Sequence, residues 1–197
     1  MSKTVKILIF VGILAVIAFG VVGIFNNMTN LDEATTSAWK KVETEYQRRA
    51  DLIPNVVNTV KGAADYERGT LEAVMEARSK ASSVQIDPSN LTEENLAAFQ
   101  QAQDQLSSAL SRLMVVVERY PELKANVNFE HLITELEGTE NRIKTARNNF
   151  NEAVQTYNTT IRRFPNNIFA GMFGFERKAY FNAKEGAENA PEVNFEN

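Results

Sequence analysis

The residues that could do chemistry in this chain are few, because it has one histidine, His131, and no cysteine. A di-metal carboxylate site in a helical protein needs Glu-x-x-His motifs on inward faces, and the residue three positions before His131 is Asn128. A zinc site built from Cys and His side chains is unsupported for the same reason, because the chain has one histidine and no cysteine. A serine or threonine nucleophile would need His131 or a lysine as its base, and no spacing suggests such a pair. We therefore predict no catalytic residue, metal or cofactor, and a structural place for His131 near a helix start.

The spacing of Gly171 and Gly174 and the negative net charge of the chain both argue against a partner that bears phosphate groups. The Gly171-Met-Phe-Gly174 sequence follows no strand pattern and lies among aromatic residues, which is not the setting of a phosphate-binding loop. The chain has 21 basic and 25 acidic residues, for a net charge of −4. Without Lys3 and Lys6, 19 basic residues face 25 acidic ones, a balance of −6. Proteins that bind nucleic acid contact phosphates through many Lys and Arg side chains, so we predict no nucleic-acid partner.

Charged residues at helical spacing suggest a structural network. Glu140 and Arg147 lie two helical turns apart and share a face with Leu136 and Ile143, so we expect them to point inward or into a seam between helices. The candidate partners from the first helix of the body are Arg48, Arg49, Asp51 and Glu67. A buried network of this kind fixes the register of a bundle. The alternative is a ligand or partner site between helices.

The N-terminal segment predicts a membrane anchor. Ile7 to Phe25 is a run of 19 residues without a polar or charged side chain, which as a helix reaches about 28 Å, near the thickness of a bilayer's hydrocarbon core. The run is long for a signal peptide, and no small-residue cleavage pattern follows it, so we assign residues 1–27 to an uncleaved anchor. Lys3 and Lys6 precede the run and Lys40 is the first basic residue after it. The positive-inside tendency then places the N-terminus in the cytoplasm and the domain outside.

The body, residues 28–181, is predicted to be an all-α antiparallel bundle. Apolar residues recur at spacings of three and four from Leu31 to Ala81, which predicts one helix of some 50 residues, kinked at Pro54 but continuous. Two further helices are predicted over residues 92–120 and 126–164. These three long helices and a short C-terminal helix form an up-down-up bundle, and residues 182–197 form a polar tail.

A dense apolar cluster follows Pro165. Its members are Ile168, Phe169, Met172, Phe173, Phe175, Tyr180 and Phe181. One interpretation is that they close the end of the bundle core. The other is that they form a contact surface for assembly, since exposed apolar patches mark interfaces and Phe and Met are enriched there.

A series of ordered motifs covers nearly the whole chain after the anchor. They are Ala38-Trp39, Tyr46-Gln-Arg-Arg-Ala-Asp-Leu-Ile-Pro-Asn55, Val60-Lys61-Gly62, Ala77-Arg78, Tyr120-Pro121-Glu-Leu-Lys124, Leu136-Glu-Gly-Thr-Glu-Asn-Arg-Ile143, Tyr157-Asn158 and Arg163-Phe-Pro165 with Gly174-Phe175. This series resembles the LemA family. The resemblance implies a single-pass protein of the bacterial cell membrane with a helical-bundle domain, small membrane-associated partner proteins, and no catalytic residues to carry over.

These observations lead us to expect a non-enzymatic scaffold in the lipid bilayer. It would self-associate as a homo-oligomer and organise membrane or recruit partner proteins. The alternative is a binding or regulatory module whose inter-helix groove receives a ligand, or an envelope stress-response partner such as a membrane protease.

Overall fold

The computed structural model describes residues 2–61 and 67–182, and within these ranges the chain forms helices and no strands. The predicted all-α class is therefore confirmed. The helices are α1 (Lys3–Lys61), α2 (Arg68–Ser83), α3 (Glu93–Val117), α4 (Pro121–Lys124), α5 (Val127–Arg162) and α6 (Asn166–Phe173).

The helices α1, α2, α3 and α5 form an up-down-up-down bundle. In α5, Arg142 contacts Glu45 of α1, whereas the later residue Phe150 contacts the earlier residue Trp39, so α5 runs antiparallel to α1. Helix α2 also folds back along α1, and α3 folds back along α2. The predicted antiparallel bundle is confirmed, with α2 as an additional member.

The prediction of one continuous helix from Leu31 to Ala81 is wrong, because α1 ends at Lys61 and α2 begins at Arg68. The buried residues Leu71 and Val74 of α2 belong to the same core cluster as Val57 and Val60 of α1. Both helices have an apolar face of the same period, and periodicity alone cannot separate two such helices from one long helix. Residues 62–66, including Ala64 of the predicted stripe, lie outside the described residues.

Pro54 lies inside α1 without ending it. Proline has no backbone N–H, so the carbonyl four residues earlier, at Ala50, loses its helical donor. The side chain of Arg78 in α2 replaces it, since Arg78 Nε donates to Ala50 O at 2.6 Å. One contact thus satisfies the carbonyl that Pro54 leaves free and fastens α2 to α1.

The predicted starts of the two later long helices are confirmed by their capping residues. The Thr92 hydroxyl accepts from the backbone N–H of Asn95 at the start of α3, and the Asn126 side chain accepts from the first backbone N–H groups of α5. Side chains that accept from these otherwise unpaired N–H groups stabilise a helix start.

Three core clusters lie along the bundle. One joins α1, α2, α3 and the first part of α5 at the end far from the anchor, and one surrounds Trp39 in the middle. The third, where Met28 packs with Tyr157, Ile161 and Ala170, lies next to the apolar N-terminal run and is called here the proximal end. The run itself is almost entirely exposed, and by length and composition α1 is able to cross a membrane.

Candidate functional site

The Arg49 guanidinium is the centre of a polar cluster, and its side chain is 2% exposed, whereas that of its partner Glu140 is 45% exposed. It forms an ion pair with Glu140 of α5 at 2.7 Å and donates to Gln103 Oε1 of α3 at 2.6 Å and to Ser107 Oγ at 3.0 Å. Gln103 in turn donates to the Ala81 carbonyl at the end of α2. The cluster therefore joins the four helices of the bundle through one cation, the arrangement that fixes helix register.

The other members of the predicted network lie apart from this cluster, so the six residues do not form one network. Arg48 pairs with Glu135 on the surface at 3.0 Å. Asp51 is exposed and accepts from Gln47 of its own helix. Glu67 pairs with Arg119 at the far end of the bundle. Arg48, Arg49 and Asp51 are consecutive or nearly so, and on a helix such neighbours face different directions.

Arg147 contacts the C-terminal segment rather than Glu140. Its guanidinium lies 4.4 Å from the centre of the Phe181 ring, and Arg147 Nη2 donates to the Asn182 carbonyl. A guanidinium over an aromatic face is a favourable contact. Arg147, which the sequence predicted to fix the register of the helices, instead contacts Phe181 and Asn182, the last two described residues.

Residues 175–182, called here the carboxyl strap, run back along α5 in an extended conformation. Gly174 begins this reversal as the C-cap of α6 with a φ of 76°, a left-handed conformation that glycine adopts without strain.

Two asparagines of α5 hold the strap by its backbone. The Asn158 side chain donates to the Lys178 carbonyl at 2.8 Å and accepts from the Lys178 N–H at 3.0 Å. The Asn151 side chain makes the same pair of bonds with Phe181, at 3.1 and 2.9 Å. Asn151 and Asn158 are two turns apart, so the two amides bind the strap as a neighbouring strand would.

Two strap side chains enter the body of the bundle. Phe181 is buried and stacks on Trp39 with ring centres 5.9 Å apart, and it also contacts Phe150 edge-on. Lys178 is 8% exposed and forms an ion pair with Asp32 of α1 at 2.9 Å while donating to the Pro88 carbonyl. Gln100 of α3 also donates to the Asn182 carbonyl of the strap. The strap is thus part of the core and ties α1, α3 and α5 together.

The seven residues of the predicted aromatic cluster separate into two groups. Phe181 is buried, and Tyr180, Phe169 and Phe175 pack against the core clusters, as expected of a cap. Ile168, Met172 and Phe173 of α6 are 53%, 71% and 42% exposed. The exposed group leaves the prediction of a contact surface open, at the proximal end of the bundle.

Two buried tyrosines have raised pKa values. Burial raises the pKa of the Tyr157 hydroxyl to about 12, and the negative charges of Asp32 and Glu176 add to the effect. Burial likewise raises the pKa of Tyr46, against the opposing charges of Arg147 and Arg49. Tyr157 donates to the Glu176 carbonyl of the strap, so its neutral form is the one that the fold uses.

Residues that could bind a metal ion are not grouped in the described part of the chain. His131 lies near the start of α5, as predicted, and its side chain is exposed. Residues 2–61 and 67–182 hold no group of three or more His, Asp or Glu side chains that could bind a metal ion. A groove with a volume of about 1040 Å³ lies between α2 and α3, and alanines such as Ala73 and Ala97 line it together with charged residues.

Several residues of these arrangements are missed by the sequence analysis. Gln103 and Asn158 are uncharged polar residues on long helices, which are usually exposed, and their signal is that each occupies a position of the buried stripe. Lys178 has no periodic context, because the strap is extended and aperiodic.

These features define a class of protein: a membrane-associated all-α bundle, with an apolar extension of its first helix and a carboxyl strap docked in its core. Residues 38–195 match the LemA family, and the chain belongs to that family. It is 28% identical to the magnetosome protein MamQ 2 of Paramagnetospirillum magneticum, over 93% of this chain and 75% of the relative. It is 25% identical to the protein LemA of Metamycoplasma hominis, over 93% of this chain and 80% of the relative. The magnetosome protein MamQ of Magnetospirillum gryphiswaldense is 37% identical, over 41% of this chain and 30% of the relative.

Proposed function

We propose that this protein is a single-pass, non-enzymatic membrane scaffold that self-associates and organises membrane or recruits small membrane-associated proteins. The observation that carries the proposal is the unbroken course of α1 from Lys3 to Lys61. At 1.5 Å per residue this helix is about 88 Å long. Its N-terminal part is long enough to span a bilayer, and its remainder is a core helix of the bundle. Because no linker separates the N-terminal part of α1 from its part within the bundle, the bundle is held in a fixed orientation relative to the membrane, as a scaffold requires.

The proposal that the protein is not an enzyme is supported by the partners of its buried charges. Arg49 and Lys178, the charged residues buried in the described part, bind groups that hold helices and strap together. Neither the family nor the relatives carry enzyme names. Catalytic groups, in contrast, are found beside a cleft where a substrate can reach them.

Self-association is tested by the native mass of the full chain in detergent. We expect a complex of several copies whose mass does not change when the salt concentration is raised, because apolar contacts are not screened. A monomer at every protein concentration would contradict self-association. The mass of the protein–detergent complex after cross-linking in native membranes provides the control for dissociation by detergent.

The proposed orientation places the N-terminus in the cytoplasm and the bundle outside. Lys3 and Lys6 support it, because basic residues near a span tend to stay cytoplasmic. Protease added to intact spheroplasts should digest the bundle, and lysine substitutions at Asn26, Asn27 and Asn30 should reverse or scramble this accessibility. Complete protection of the wild-type bundle until lysis would place it in the cytoplasm.

A second candidate function is the capture of one partner, such as a membrane protease of the envelope stress response. The groove between α2 and α3 supports it, because alanine side chains leave room there for a partner segment. A monomer that binds one partner molecule would favour this function over the scaffold. Ala73→Trp should then abolish capture by filling the groove, whereas Ala98→Trp, on the exposed surface of α3 outside the groove, should not.

A further inference from the structure

Helix α6 is apolar on the face that meets the bundle and on the face that does not. From Ile168 to Phe173 every residue is apolar or glycine. Ala170 is buried and Phe169 packs against the proximal core, whereas Ile168 and Met172, one turn apart, are 53% and 71% exposed. A helix with apolar residues on all sides is normally covered on all sides, by protein or by lipid.

The position of α6 relative to α1 indicates what covers it. The Phe173 ring lies 5.1 Å from the ring of Phe25, and the Phe175 ring lies 5.8 Å from it. Phe25 is the last residue of the 19-residue apolar run. If the run spans the hydrocarbon core, its end lies at the boundary with the headgroups, and α6 lies beside it at the same depth.

The charges around α6 complement the same environment. Residues 162–177 contain Arg162, Arg163 and Arg177 against one acidic residue, in a chain with more acidic than basic residues overall. All three arginines are exposed. Just before α6, Phe164 is 82% exposed. Apolar side chains flanked by basic ones are typical of helices that lie in the membrane interface, where the charged groups meet anionic headgroups.

We propose that α6 is an interfacial helix, with Ile168 and Met172 inserted among the lipids of the leaflet from which α1 emerges. Phe164 and the arginines lie at the headgroups around it. The protein thereby contacts the membrane at two places, the α1 span and the α6 face. The inference rests on the proposed spanning of α1 and adds a site that the span alone does not require.

The absence of cysteine in the chain allows a direct test with single labels. The full chain is reconstituted in vesicles of phosphatidylethanolamine and phosphatidylglycerol, with an environment-sensitive fluorophore on the Met172→Cys variant. We expect blue-shifted emission, strong quenching by lipids with a shallow nitroxide, and several-fold weaker quenching by aqueous iodide than at a matched control. The control is Val115→Cys, which replaces an apolar residue that is 65% exposed near the opposite end of the bundle. Ile168→Cys repeats the test at a second position of the same face.

Other results would overturn the proposal or its basis. Iodide quenching at position 172 equal to that at 115 would show that α6 stays in water. Shielding from iodide without quenching by any nitroxide lipid would show that protein covers α6, such as a second copy of the chain. A label in the Val16→Cys variant, at the middle of the apolar run, separates the insertion of α6 from the spanning of α1. Quenching of the label at 16 by deep nitroxide lipids, without quenching of the label at 172 by nitroxide lipids, refutes only the α6 proposal. No quenching of the label at 16 by deep nitroxide lipids refutes the span.

Discussion

The contact between Arg78 and the Ala50 carbonyl predicts a specific energetic coupling with Pro54. Arg78→Met removes the donor to a carbonyl that has no helical N–H partner, because position 54 is proline. A hydrogen bond with a charged group is worth about 1.5–3 kcal/mol, and a buried acceptor left unpaired costs a similar amount. We therefore expect Arg78→Met to lower the free energy of unfolding by about 2 kcal/mol.

The same substitution should cost less in a Pro54→Ala background. Alanine restores the backbone N–H at position 54, which then donates to the Ala50 carbonyl as in an uninterrupted helix. The cost of Arg78→Met should fall by about 1 kcal/mol or more, a coupling that a double-mutant cycle isolates from the separate effects of the two substitutions.

Thermal unfolding of the full chain in detergent, followed by circular dichroism, provides the measurement. A loss of 1 kcal/mol lowers the melting temperature of a chain of this size by about 2–4 °C, so the Arg78→Met shift is about 4–8 °C. Lys80→Met is the matched control on α2, since Lys80 is 60% exposed and pairs with Glu76 of its own helix. If the Arg78→Met shift is the same with proline and with alanine at position 54, the reasoning is refuted.

Three other perturbations test the polar cluster, the strap and the tyrosines. Arg49→Met should cost about 1–3 kcal/mol, because it leaves Gln103 Oε1 without its donor, whereas Arg48→Met removes an exposed pair and should cost less than about 1 kcal/mol; equal melting temperatures of the two variants would contradict the assignment. Phe181→Ala should cost about 3–5 kcal/mol in chemical denaturation if the strap belongs to the core, and a loss near zero would show that it does not. Because the folded pKa of Tyr157 is raised to about 12, its contribution to stability is complete below the unfolded pKa near 10 and is lost as the pH rises toward 12; Tyr157→Phe should flatten the melting-temperature profile in that alkaline range.

The long helices could be predicted from sequence because their signals are local and repeated. The stripe of α5, from Phe129 to Ile161, keeps one period over its whole length, and the Asn126 cap precedes it. The same signal failed between Lys61 and Arg68, because a chain that folds back can resume the same period. Pro54, a strong helix breaker by type, lies within α1, and Arg78 binds the carbonyl that it leaves free.

The polar cluster and the strap depend on contacts distant in sequence. The sequence placed Arg49 and Glu140 among its candidates, and these two are in contact, but it could not choose between Arg48 and Arg49, which are adjacent and differ only in the direction they face. The hydrogen bonds from Asn151 and Asn158 to the strap involve backbone groups of the strap. Such bonds do not depend on which side chains the strap carries, so its sequence does not reveal them. An extended segment without alternation has no period to detect.

The stacking of Phe181 on Trp39 gives this protein its own optical probe. Trp39 is the chain's single tryptophan and is completely buried among Phe99, Phe150 and Phe181. Its tryptophan fluorescence therefore originates from one position, directly beneath Phe181 of the carboxyl strap. Release of the strap would expose the indole to water and shift its emission to longer wavelength while the helices stay folded. The docking and release of the carboxyl-terminal segment can thus be followed in the purified, unlabelled protein and in real time.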